Sequence, residues 1–126
     1  MSSIEFALLT PIMLITLLLV VQFAMYFHAR HVALAAAQEG ARVARTDRGP
    51  SWRDDAKQRT VRYLDFVGER LLVAPTIRPY ENGTSRGVRV SGDAVSVLPF
   101  LTLRVVEGSF GPIECFRSDV VGAGCQ

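Results

Sequence analysis

The spacing of apolar and polar residues changes repeatedly along this chain, and each change predicts a different element. The 22 residues from Phe6 to Phe27 carry no charge at all. At a helical rise of about 1.5 Å per residue such a run reaches roughly 33 Å, close to the hydrocarbon thickness of about 30 Å, so it predicts a membrane-spanning helix. The alternative, a helix buried on every side in a soluble core, is poorly supported. In a chain of 126 residues, the rest is too short to surround it. The run is also too long for a removable secretory signal and lacks a small-residue cleavage site.

After Phe27 the segment HARHVALAAAQEGARVAR is rich in helix formers, with Gly40 its one breaker. The helix is therefore expected to continue to about Thr46, which from Ile4 makes roughly 43 residues and a rod on the order of 65 Å. Along the continuation Ala29, Ala33, Ala36, Gly40 and Val43 recur at helical spacing. Small side chains permit close backbone approach, so the stripe predicts packing on a neighbouring helix in preference to simple Ala propensity.

TDRGP ends the rod. Ser51 then reads as an N-cap with Asp54 at the capping-box position, opening an amphipathic helix of about twenty residues. Trp52, Ala56, Thr60, Tyr63, Leu64, Val67 and Leu71 fall on its apolar face, for which the small-residue stripe is the nearest partner. From Ala74 the period becomes two, and TIRPYENGTSRGVRVSGDAVSVL predicts a hairpin turning at Asn82 and Gly83. LTLRVVEGSF predicts a further strand. The expected fold class is α+β: a long N-terminal transmembrane helix running into a small head of one helix and a short antiparallel β-sheet. Residues 1–28 form the membrane segment, 29–48 its continuation and 49–126 the head.

Charge and candidate chemistry narrow the function. The formal net charge is +2, with 14 basic and 12 acidic residues interspersed, which gives no basis for nucleic-acid binding. Arg42, Arg45 and Arg48 read as a solvated helix face more readily than as lipid headgroup contacts. No nucleophile motif, phosphate loop or metalloprotease signature is present, so no enzyme is expected. His28 and His31 share a helix face, but without a further ligand they read as interfacial residues, and no metal or cofactor is implied. Asn82, Gly83 and Thr84 match a glycosylation sequon, although a tight turn needs the same residues.

Cys115 and Cys125 could close a terminal loop in an oxidising compartment, or remain two thiols in a reducing one. Glu5, at the margin of the apolar run, is either a wet headgroup-level residue or a working site. Pro11 cannot donate to the carbonyl of Ala7, so the helix is expected to loosen there. Taken literally, the positive-inside rule puts the head in the cytoplasm, because Arg30, Arg42 and Arg45 follow the span and no basic residue precedes it. We expect instead that a basic N-terminal flank has been trimmed or replaced.

The short polar start SSIEF, the FALLTP segment, the AAAQEGAR continuation and the tail GSFGPIECF together resemble the TadE-like family. These are minor pseudopilins of the tight-adherence, or Flp, type IV pilus systems. The resemblance is strong over residues 3–46 and loose across the strands. It implies a non-enzymatic subunit of the cytoplasmic (inner) membrane, with its head outside the cytoplasm. It also implies a precursor with a basic leader, cut after a Gly by a prepilin peptidase. Neither the leader nor that Gly is in the sequence. Glu5, Phe6 and Pro11 would be the assembly residues, with Glu5 pairing with the amine of a neighbouring subunit. Ala29, Ala33, Ala36 and Gly40 would serve helix packing. The implied partners are other pilins or pseudopilins, the pilus assembly machinery and membrane lipid. An oxidising location would admit a Cys115–Cys125 disulfide. The competing reading is a single-span envelope accessory or binding protein that never enters a filament.

Overall fold

A computed structural model describes residues 3–68 and 70–114. Cys115 and Cys125 lie outside the described residues. The fold is α+β, with helices on one face of an antiparallel sheet. Helix α1 (Ser3–Thr46) is one unbroken element of 44 residues, about 66 Å long, and continues through Pro11. Helix α2 (Trp52–Val67) folds back along it, and strands β1 (Leu72–Asn82), β2 (Ser85–Ala94) and β3 (Arg104–Pro112) follow. The sheet order is β1-β2-β3, both pairs antiparallel.

The core of the head is built around the second half of α1. Ala29, Ala33, Ala36, Ala37, Ala41 and Ala44 are buried there, facing Trp52, Ala56 and Leu64 of α2 and Val88, Val90 and Val105 of the sheet. At Gly40 the elements meet most closely. A Cβ on that residue would fall 2.0 Å from Thr60 Oγ1, 3.1 Å from the Ala56 carbonyl and 3.2 Å from Val88 Cγ2. Thr60 is itself buried, and its hydroxyl donates to the Ala56 carbonyl at 2.8 Å. Nearer the N-terminus of α1, Gly68 lies against Val32, where a Cβ would come within 2.6 Å of Cγ1. The two helices therefore run antiparallel in contact.

Several local expectations are corrected. Helix α2 has 16 residues, not about twenty, because Gly68 ends it with its N–H donating to the Leu64 carbonyl at 2.7 Å. Val67 is consequently exposed, and Leu71 reaches the core from the following turn. The capping box does not form: the Ser51 hydroxyl donates to Asp55 Oδ2 at 2.8 Å and caps no backbone N–H. The hairpin loop is Gly83–Thr84, one residue later than expected, since Asn82 pairs with Ser85. Gly83 takes a φ of +58°, as a glycine-first two-residue loop requires.

Strand β1 starts at Leu72, ahead of the expected Ala74, and is not a simple alternating strand. Leu72 pairs with Ala94 and Ile77 with Val90, so β1 holds one residue more than β2 across this interval. The bulge falls at Ala74 and Pro75, with Ala74 at φ +48°. Strict alternation would put Leu72 and Ile77 on opposite faces; the bulge lets both face the helices. On the outer face, Tyr80 and Phe110 stack at 5.1 Å between ring centroids, across Gly87, which pairs with both in register.

At the far end of the head Trp52 is buried between the guanidinium groups of Arg53 and Arg86, 4.5 and 4.4 Å from its ring centroid. Arg86 also donates to Glu81 at 2.8 Å and to the Asp47 carbonyl at 2.9 Å, and Arg53 lies 3.0 Å from Glu81. The hydrogen bond from Arg86 holds the Glu81 carboxyl below its ordinary range, against the opposing effect of desolvation.

Two outcomes follow from this packing. Gly40→Ala should destabilise the detergent-solubilised protein by about 1–3 kcal/mol, read from chemical unfolding, because the added methyl overpacks a rigid contact. Glu81 binds its proton less readily folded than unfolded, so its stabilisation is complete above the unfolded carboxylate pKa. That stabilisation is lost as pH falls through the lower folded value. Unfolding measured across an acid pH series should thus show a shallower loss of stability for Glu81→Gln than for the parent.

Candidate functional site

From Ser3 to Val21 no residue of α1 is buried, and the large side chains there are apolar. A run of exposed large apolar side chains of this kind marks a membrane or partner contact. Length and composition suit a membrane span. The hydroxyls in it are accounted for locally: Thr10 donates to the Phe6 carbonyl at 2.7 Å and Thr16 to the Ile12 carbonyl at 2.8 Å. Such back-bonding removes donors that lipid could not satisfy.

Glu5, Phe6 and Pro11 all lie exposed on the first turns of this segment. Among the described residues, Glu5 has no ion-pair partner. Ala29, Ala33, Ala36 and Gly40 lie elsewhere, buried inside the head against α2 and β2. The stripe is thus occupied by this chain's own elements, whereas Glu5, Phe6 and Pro11 remain exposed.

His28 and His31 are exposed, and no group of three or more possible metal ligands occurs among the described residues. Between them Arg30 pairs with Glu107 of β3, which raises the guanidinium pKa and ties the sheet to the helix just above the apolar run. Arg42 and Arg59 converge on Glu39 at 3.1 and 3.3 Å on the solvated side.

Gln22 is the residue that sequence reasoning passed over. It sits inside the uncharged run yet is 0% exposed. Its Oε1 accepts from the N–H groups of Val97 and Leu98 at 2.6 and 3.3 Å, and its Nε2 donates to the Val95 carbonyl at 3.3 Å. One amide side chain thereby satisfies three backbone groups of the β2–β3 loop. A lone amide in an otherwise apolar run was the available signal, since burial of such a group requires partners.

The family model described as TadE-like protein matches residues 1–42. The chain carries a TadE-like N-terminus. The match covers the exposed apolar segment, Glu5, Gln22 and most of the alanine stripe, and stops short of α2 and the sheet. It associates the chain with the Tad pilus in general, and with the candidate span it fits a membrane protein. No curated protein and no solved structure matches.

Gln22→Leu should leave the Val97 and Leu98 amides without their acceptor, at a cost of about 1–3 kcal/mol. Hydrogen exchange of those two amides should accelerate, while exchange at Val88 and Val90 in the sheet should change little.

Proposed function

We propose that this chain is a minor pseudopilin of a Tad, or Flp, type IV pilus: a non-enzymatic, single-span subunit acting in pilus assembly or initiation through its N-terminal helix. The observation that carries the reading is the apolar surface from Ser3 to Val21, none of it buried and opened by Glu5, within the TadE-like segment. The head completes its own core on the second half of α1 and leaves this half free for lipid and for the helices of other subunits.

The mechanism follows from the cost of an isolated charge. In the membrane Glu5 stays at the headgroup level and remains hydrated. When subunits pack and exclude water, the carboxylate needs a cation, because an unpaired buried charge is strongly unfavourable. The free N-terminal amine of a neighbouring processed subunit supplies it, and the pairing sets the axial register between helices. Pro11 withholds an N–H from the Ala7 carbonyl, so the helix yields most easily beside this contact. Prepilin peptidase acts on the precursor, the chain is held in the cytoplasmic membrane and the head lies outside the cytoplasm. In that location Cys115 and Cys125 join.

Replacing Glu5 by Gln or by Leu should leave membrane insertion intact and sharply reduce both co-assembly with other pilins, read by crosslinking, and pilus formation. Normal pili from both variants would eliminate the pairing role and favour an envelope protein that stays outside the filament.

A further inference from the structure

We infer that the β2–β3 loop, residues 95–103, is a second membrane contact that inserts its tip into the lipid interface beside α1. The inference rests on α1 spanning the bilayer and goes beyond the role of that helix in assembly.

The ten residues from Ala94 to Leu103 carry no charge, which is unusual for a connection on a protein surface. They are also tightly ordered among themselves. Leu101 N–H donates to the Leu98 carbonyl at 3.0 Å, closing a turn with Pro99 and Phe100 at its corners, and the Ser96 hydroxyl braces it through the carbonyls of Leu98 and Leu101. Phe100, at the tip, is 79% exposed. Its exposure comes from a hydrogen-bonded turn that presents it outward.

Gln22 fixes where this tip stands along the helix. It lies five residues before Phe27, where the uncharged run ends, which is about 7.5 Å along the axis. A loop hung on Gln22 is therefore level with the edge of the hydrocarbon. Its backbone suits that depth, because Ala94 and Val95 donate to the carbonyls of Leu103 and Leu71, and Val97 and Leu98 donate to Gln22.

The rest of this end of the head sets exposed apolar side chains among charged ones, Asp65 and Arg70 near the end of α2 and Asp93 paired in register with Arg104 at the base of the loop. Because α2 descends α1 from Gly40 to Val32, its C-terminus points toward the membrane, bringing Phe66, 91% exposed, and Val67 to that side. Val73 and Val97 are exposed there as well. The opposite end, where Ile113 bonds Thr84 and Glu114 bonds Arg45, holds the Trp52, Arg53, Arg86 and Glu81 cluster. An uncharged loop continuous with the span, with charged side chains around it that lipid headgroups can accept, matches a bilayer interface.

The test uses the full chain reconstituted in phosphatidylcholine vesicles, with tryptophan placed at one position at a time and native Trp52, far from the membrane, as the baseline. Phe100→Trp should lose about half of its added emission to lipids brominated along the acyl chain, as an interfacial depth of roughly 5–10 Å implies, and should resist aqueous iodide. Thr84→Trp should show the opposite pattern, and Leu14→Trp should be quenched by lipid. Iodide quenching of Phe100→Trp without lipid quenching would overturn the inference, and so would protection from both quenchers, which signals cover by protein. Loss of lipid quenching at Leu14→Trp as well would remove the span itself and so separate that failure from failure of the loop.

Discussion

The close approach of α1 to α2 and β2 at Gly40 is the contact on which the rest of the structure depends. A head of this size cannot bury enough surface by itself. It does so by wrapping a second helix and a sheet around a stripe of alanines and glycine, where the absence of large side chains lets three backbones come together. The helix that anchors the protein is thus also the centre of the folded head. Removing it would leave α2 and the sheet without a core.

One helix consequently serves two solvents. Up to Val21 no side chain is buried and most are apolar; from Ala29 its buried positions are mostly alanine and glycine, enclosed by protein. The changeover occurs at Gln22, the polar side chain that both surroundings can accept, because its amide is spent on the backbone of the β2–β3 loop. Arg30 and Glu107 add a second tie just above it. These contacts set the height of the head on the helix. The head is thereby tied to α1 at two heights by side-chain contacts from the helix to the β2–β3 loop and to β3.

Much of the architecture was legible because it rests on local rules. The uncharged run, the helix-forming continuation and the Gly-Pro break defined α1 and the start of α2 without reference to anything distant. The alternating segments announced antiparallel strands for the same reason. The errors share a different cause. Ser51 turned to Asp55 in place of a backbone N–H, and Gly68 ended α2 early at its close contact with Val32. The Leu72 and Ile77 faces were reconciled by a bulge at Ala74 and Pro75. Each depends on what packs against the element, which no spacing records.

By itself, the sequence determined that this chain has a membrane-length apolar helix with a carboxylate at its margin, a small-residue continuation and an α+β head, since length, charge and periodicity are properties of neighbouring residues. Only the tertiary structure decided what those features face. It enclosed the alanine stripe within the same chain, left Glu5 open, and gave Gln22 its partners more than seventy residues away. Partnership across that separation is a matter of shape and hydrogen-bond geometry. For that reason the docking of the β2–β3 loop on Gln22 became visible only once the chain was folded.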